Sequence, residues 1–290
     1  MGNGNKKITV FTPTFNRRQM LIDLYKSLCA QTSKAFVWLI VDDGSTDDTR
    51  ELVETFISDH IIDITYFYQN NAGKCAAHNT GVSKTQTEFF VCVDSDDILV
   101  PEAIETIEKE SHSLSDAIGL MFAKGKKDYS PLQTWKVTRQ YATLHYTFHK
   151  MKIKCDVMLV YKTSLLKTIQ FPSFDGESFV PESYLYYQLD LIGELKIVDK
   201  VLYLCDYYSD GYSRNIRKYI AKNPKGYCAA IEKSIVLDTT LLEKAKDIIK
   251  YISVSFCTDI SKTVKEHRFL SFLLFIPSFF VYLIVYKKHL

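Results

Sequence analysis

The sequence predicts an α/β fold, a mostly parallel sheet flanked by helices, followed by a helical C-terminal extension. Three observations carry this. Strand-like apolar runs alternate with stretches of helical period through the first hundred or so residues. The residues with chemistry in them fall directly after the strand runs. Beyond residue 224 the pattern is helical and ends in a long apolar stretch. Strands alternating with helical segments are the mark of crossover units in a parallel sheet.

In chain order, Lys7 to Phe11 is an apolar β-rich run closed by Thr12-Pro13. Arg18 to Ala30 places Leu21, Leu24, Tyr25 and Leu28 at helical spacing. Phe36 to Val41 is a continuous apolar run, the pattern of a strand buried on both faces. Asp47 to Ile57 reads as a helix with Ser45 or Thr46 as its N-cap. Ile61 to Tyr68 is a third strand, Lys74 to Ser83 a short helix, and Phe89 to Val93 a fourth strand. Pro101 to Glu110 opens with proline in a first turn, where its missing N–H is harmless, and is helical. Later, Asp156 to Tyr161 and Lys196 to Tyr207 read as strands. Glu182 to Ile192 and two stretches within Lys225 to Lys265 read as helices. The resulting division is a domain over 1–223, with halves 1–110 and 111–223, and a helical region over 224–290.

The 290 residues are 47% hydrophobic and 24% charged with a formal net charge of +2. That suffices for a core and provides no broad basic field for nucleic acid. The aromatic content is high, with 19 Tyr and 18 Phe. Seven cysteines are widely spaced without a CxxC pair, which argues against a zinc ribbon and for a reducing compartment. Cys29, Cys92, Cys205 and Cys257 lie in apolar runs and are expected in the core. The polar start, Met1 to Lys7, shows no secretory signal pattern. His145 and His149 have ligand spacing but lack the Glu of HExxH, so they read as surface or packing residues.

From Phe269 to Tyr286 only Ser271, Pro277 and Ser278 interrupt an apolar stretch. As a helix it would be about 27 Å long, just short of a bilayer core. Lys265 and Arg268 precede it and Lys287 and Lys288 follow it, so a spanning helix would set one basic flank outside. Pro277 is expected to break or kink it. Segment 269–286 is therefore expected to lie in or dip into the cytoplasmic leaflet, making the protein peripheral or monotopic.

Val41-Asp42-Asp43-Gly44-Ser45 follows the second strand and Val93-Asp94-Ser95-Asp96-Asp97 the fourth. Either cluster alone reads as a turn with capping acids. Together, at strand ends of one parallel sheet, they converge on the crevice where such folds bind ligands. Crowded carboxylates need donors or cations. A hard divalent ion, Mg²⁺ or Mn²⁺, suits them and is usually shared with substrate phosphates.

Thr12-Pro13-Thr14-Phe15-Asn16-Arg17, Asp42-Asp43-Gly44-Ser45, Asn71-Ala72-Gly73-Lys74 and Asp94-Ser95-Asp96-Asp97 occur in this order. The set resembles the family 2 glycosyltransferases, inverting enzymes of the GT-A fold that use nucleotide-diphosphate sugars. The resemblance is strong over residues 6 to about 110 and looser to Asn223. It implies that Thr12, Pro13 and Asn16 border the base and ribose and that Asp42 and Asp43 read the base. Lys74 would lie near the base or diphosphate, with Asn79 in the same segment. Asp94 and Asp96 match the DxD motif, Asp96 on the metal and Asp94 on the ribose or a metal-bound water, with Asp97 a further possible ligand.

An inverting transfer requires a base to deprotonate the acceptor hydroxyl. The resemblance puts Glu182 at that position, in Val180-Pro181-Glu182-Ser183. Pro181 replaces the first acid of the usual pair and Gln188 stands where Arg is common, with Glu177 the competing base. Arg214 or Arg217, in and after Asp210-Gly211-Tyr212-Ser213-Arg214-Asn215, is placed to clamp the diphosphate. The expected function is metal-dependent transfer from a UDP-sugar to a lipid-linked oligosaccharide in cell-surface polysaccharide synthesis. The alternatives are a polyprenyl-phosphate glycosyltransferase, which would need no base, and an inactive nucleotide-sugar-binding scaffold.

Overall fold

The computed structural model describes residues 6–205 and 212–290, with backbone only for 212–214. Two compact units result, residues 1–170 with 192–206 and residues 171–191 with 207–290. The expected boundary at Asn223 thus lies inside the second unit, between two of its helices.

The first unit is built on a nine-stranded mixed sheet covered by helices. Its first half follows the expected alternation: β1 (Ile8–Thr14), α1 (Arg18–Cys29), β2 (Phe36–Asp42), α2 (Thr49–Ser58), β3 (Ile64–Tyr68), α3 (Lys74–Lys84), β4 (Phe89–Cys92). Strand β1 pairs in parallel with β2 and β4, and β2 with β3. The apolar runs are buried on both faces, Val10 and Ile40 on one and Phe11 and Leu39 on the other, as a doubly covered sheet requires. Then come β5 (Ile98–Leu99), α4 (Ala103–Ser111), β6 (Gly119–Gly125), β7 (Tyr141–Ala142), α5 (Leu144–His149), β8 (Val157–Lys162) and α6 (Thr163–Leu166). Strand β9 (Leu195–Leu204) completes the sheet in the order β3-β2-β1-β4-β8-β6-β9-β5, with β7 also on β9. The antiparallel insertion of β8 between β4 and β6 makes the sheet mixed.

Two local expectations are corrected here. The residue before α2 is Asp48, not Ser45 or Thr46, because those two hold the neighbouring loop instead. Of the four cysteines expected in the core, only Cys205 is buried; Cys29, Cys92 and Cys257 are half-buried, while Cys228 is buried. All seven are free thiols.

The second unit is helical: α7 (Ser183–Asp190), α8 (Tyr212–Lys222), α9 (Pro224–Leu237), α10 (Leu241–Ser255) and α11 (Arg268–Val281). Helix α10 opens with a capping box between Thr240 and Glu243. Of the expected break or kink at Pro277, the break does not occur: α11 runs through the proline to Val281. The proline forfeits the bond to the Leu273 carbonyl; at the next residue, α11 is tied to α10 by Ser253 Oγ donating to the Ser278 carbonyl at 2.9 Å.

Glu177 pins the segment before α7 to the start of α9. Its two oxygens accept the N–H groups of Lys225 and Gly226, each at 2.8 Å. Asn223 Oδ1 returns the contact by accepting from the Ser178 N–H at 2.8 Å. A side chain at Gly226 would put its Cβ 2.5 Å from the Phe179 carbonyl oxygen, so the close approach needs glycine. An acid at these first-turn amides satisfies donors that the helix cannot. Glu177→Ala should therefore cost about 1 kcal/mol, the usual loss of an N-terminal cap. Circular dichroism melting should show Tm falling by about 2–4 °C; an unchanged Tm contradicts this role.

Candidate active site

The carboxyl ends of β1, β2 and β4 lie side by side, and backbone bonds join the loops that leave them. Asp43 N–H donates to the Thr14 carbonyl at 2.8 Å, and Gln69 N–H to that of Asp42 at 2.9 Å. The expected convergence of the two acidic clusters on one edge follows from this register.

On the β2 side the acids are held by donors. Asp42 accepts from the Ser45 N–H at 2.8 Å and the Tyr66 hydroxyl at 2.7 Å. Burial and the Asp42 charge raise the Tyr66 phenol well above its ordinary range, which keeps it a donor. Asp43 accepts from Gln69 Nε2 at 2.6 Å, Ala72 N–H at 3.0 Å and Gly73 N–H at 2.7 Å. Both acids are buried. Gly44 has φ +88°, and a Cβ there would sit 2.8 Å from the Asn71 nitrogen. The turn after Asp43 thus needs glycine to bring the Asn71-Ala72-Gly73 loop close.

The β1 residues divide. Thr12 is fully buried and its hydroxyl accepts from the Trp38 indole at 2.9 Å, so its side chain serves the core. Pro13 is half-buried and Asn16 exposed. Asn16 has φ +52°, a left-handed conformation that asparagine tolerates. Its Oδ1 accepts from the Thr46 N–H at 2.8 Å, and its own N–H donates to Ser45 Oγ at 2.9 Å. Asn16 therefore laces the loop after β1 to the loop after β2.

On the β4 side the acids meet cations. Lys74 Nζ, at the first residue of α3, lies 2.8 Å from Asp94 Oδ1. Arg17 Nη1 lies 3.1 Å from Asp96 Oδ2. Asp97 is buried and accepts the Tyr203 hydroxyl at 2.7 Å, while that hydroxyl oxygen accepts the Asp94 N–H at 3.0 Å. Lys124 Nζ sits 3.8 Å from the centroid of the Tyr203 ring, since β6 and β9 set Lys124 opposite Tyr203.

Burial alone would raise the Asp94 carboxyl, but Lys74 and Lys124 draw it below the ordinary range. Burial pushes Asp97 up to about 7 against the pull of Lys124, with Asp94 adding to the rise. Burial would lower Lys124, yet Asp94, Asp97 and Asp156 hold it above its usual value and charged. The donor set on this edge is oxygen only. Asp94 and Asp96 keep 36% and 20% of their side chains accessible, whereas Asp97 is enclosed. Asp94 and Asp96 therefore fit a hard divalent cation better than Asp97 does.

In the second unit Glu182 is exposed and stands immediately before α7, with its carbonyl accepting from Leu185 and Tyr186. Both oxygens of Glu177 are committed to α9. The Arg214 side chain, and the 206–211 segment before it, lie outside the described residues. His145 and His149 on α5 meet edge to face, ring centroids 3.9 Å apart and planes 70° apart. Sequence reasoning missed Lys124 and gave Arg17 no role. Arg17 stands within a quoted motif, whereas Lys124 sits in a basic stretch that reads as surface.

The description "Glycosyl transferase family 2" matches residues 9–170. Among curated relatives, glycosyltransferase GlyA of Streptococcus pneumoniae is 38% identical over 105 residues, covering 36% of this chain and 15% of GlyA. The poly(ribitol-phosphate) beta-N-acetylglucosaminyltransferase TarS of Staphylococcus aureus is 28% identical over 197 residues, covering 62% of this chain and 32% of TarS. The chain thus spans about a third or less of the length of these relatives. Among solved structures, TarS 1–349 in complex with UDP-GlcNAc superposes with a TM-score of 0.61 at 18% identity, covering 98% of this chain and 82% of that one. The mannosyltransferase PcManGT of Pyrobaculum calidifontis, in complex with GDP-Man and Mn²⁺, gives 0.56 at 16% identity, covering 98% and 81%. These likenesses match the mixed sheet with its helices, and the family match contains every strand-end acid described above. The chain therefore belongs to glycosyl transferase family 2 and has the GT-A fold.

Proposed function

We propose that the protein is a metal-dependent inverting glycosyltransferase that moves a sugar from a nucleotide-diphosphate donor, a UDP-sugar, to a lipid-linked oligosaccharide in cell-surface polysaccharide synthesis. The observation that carries this is the edge where Asp94 and Asp96 stand beside Lys74 and Arg17 at the ends of parallel strands. That combination of oxygen ligands and cations suits a divalent ion and a diphosphate together. The UDP-GlcNAc and the GDP-Man with Mn²⁺ named for the similar structures support the donor class and the ion.

In this reading the Asn16 loop, Asp42 and Asp43 border the base, where a carboxylate suits an N–H edge such as that of uracil. Asp43 also fixes the Ala72-Gly73 backbone and so positions Lys74 beside Asp94. Asp96 and Asp94 would hold Mg²⁺ or Mn²⁺, while Asp97 accepts the Tyr203 hydroxyl. The bound ion would neutralise charge on the departing diphosphate. Lys124 adds a fixed positive charge to the same edge. Arg214 is retained as a diphosphate clamp on sequence grounds alone. Glu182 takes the acceptor's proton; its exposure and the prior commitment of Glu177 to α9 both favour it.

The acceptor class rests on the C-terminal helix. Residues Lys265–His289 form one continuous helical stretch with a mean hydropathy of 2.3 over its apolar window. Ser271 and Ser278 are buried, whereas Phe269, Phe272 and Ile276 are 76%, 79% and 69% exposed. One face therefore packs against the unit and the other is open and apolar. With basic residues at both ends, this supports a helix lying in the cytoplasmic leaflet, the monotopic arrangement. Such a helix brings the enzyme to the leaflet that holds lipid-linked acceptors.

Two outcomes test the reading. Transfer of labelled sugar to membrane-extracted acceptor should fall about 10²–10⁴-fold in Glu182→Gln, the range for losing a general base. Glu177→Gln should retain most of it. Near-full turnover in Glu182→Gln would instead favour an anionic polyprenyl-phosphate acceptor. In flotation, the protein should rise with vesicles containing phosphatidylglycerol and less with phosphatidylcholine alone, and a Phe272→Asp/Ile276→Asp variant should stay at the bottom. Equal flotation of that variant contradicts the leaflet contact.

A further inference from the structure

The three accessible or enclosed acids after β4 are already answered by positive charge: Arg17 on Asp96, Lys74 on Asp94, and Lys124 beside Asp94 and Asp97. A divalent cation arriving alone would meet these cations as well as the carboxylates. It would also have to compete with Arg17 and Lys74 for the oxygens it needs. A diphosphate arriving alone would meet the same acids as repulsive neighbours. Each ligand is therefore opposed singly, and the opposition cancels when both enter.

The cations differ in freedom. Lys124 is packed over the Tyr203 ring and is fixed there. Arg17 and Lys74 keep 40% and 38% of their side chains accessible, on long stems that can swing from carboxylate to phosphate. Both also have better partners in phosphate oxygens, Arg through paired N–H donors and Lys as a point charge.

We propose that Arg17 and Lys74 form a charge lock on Asp96 and Asp94, which makes divalent-ion binding conditional on a nucleoside diphosphate; this rests on the donor-binding reading above. The diphosphate draws both cations off the acids, and the freed carboxylates take the ion. Arg17 and Lys74 are thus positioning residues in the metal-free protein and phosphate ligands in the loaded one. The protein gains protection from tightly holding a free ion that would orient no donor. By reciprocity, the ion must raise the affinity for the diphosphate by the factor by which the diphosphate raises that for the ion.

The test is calorimetric and paramagnetic titration of the full chain with Mn²⁺, with and without saturating UDP. For the wild type, UDP should raise Mn²⁺ affinity about tenfold or more, within the usual range of such coupling. In Arg17→Gln and in Lys74→Gln, Mn²⁺ alone should bind several-fold tighter than to the wild type, and the gain from UDP should shrink. Lys74→Arg, which keeps the charge, should restore the coupling. Mn²⁺ affinity unchanged or weaker in both glutamine variants, with coupling intact, overturns the lock while leaving donor binding standing. Absence of Mn²⁺ binding to the wild type even with UDP, or binding that survives Asp96→Asn, overturns the donor-site reading itself. Melting curves of each variant confirm folding, which both half-buried positions should preserve.

Discussion

Crowded carboxylates at the edge of a parallel sheet are tolerated only when each is answered, and the first unit is organised by those answers. Asp42 and Asp43 are buried and satisfied by hydroxyl, amide and backbone donors. Asp94 and Asp96 are met by partly accessible cations, and Asp97 by a buried phenol. The distinction matters. Neutral donors hold the β2 acids in place, so those acids shape the loops around them. Cations face the β4 acids, Arg17 on Asp96 and Lys74 on Asp94, and the proposed charge lock follows from that pairing. One chemical group thus does two jobs on adjacent strands, set by burial and by what each strand faces.

The dependence runs outward from there. Asp43 anchors Gly73, and Gly73 precedes the helix whose first residue is Lys74. Asn16 ties the loop that carries Arg17 to the turn after Asp43. Both cations on the β4 acids are consequently placed by residues bonded on the β2 side. Tyr203 belongs to the last strand of the sheet, yet its hydroxyl bridges Asp94 and Asp97. The late strands therefore complete a site that the early strands begin.

Much of this was legible in the sequence, for physical reasons. Continuous apolar runs such as Phe36 to Val41 mark doubly buried strands, and acids directly after them fall at the edge where such folds bind ligands. What stayed hidden depends on long-range pairing. Lys124 lies in a run that reads as basic surface until β6 pairs with β9 and sets it over Tyr203. Ser45 and Thr46 are good N-caps by residue type, but Asn16 takes them from thirty residues upstream, and only the fold reveals that competitor. Glu177 and Glu182 are equivalent as letters; only the fold shows that the Glu177 oxygens accept the first two amides of α9. Pro277 argued for a broken or kinked helix by local rules, yet α11 continues through it beside α10. The aromatic excess resolves in the same way: Phe56 and Trp38 stack in the core around Tyr25, while Phe269 and Phe272 face outward.

The central claim is that this edge binds a nucleotide-diphosphate sugar through a divalent ion. A thermal-shift screen of nucleotide sugars with Mn²⁺ tests it most directly, because a ligand that binds only the folded state raises Tm by mass action. The account predicts a shift with UDP-sugars that requires Mn²⁺ or Mg²⁺ and disappears in Asp96→Ala. No shift from any nucleotide sugar, or an equal shift in Asp96→Ala, would contradict it.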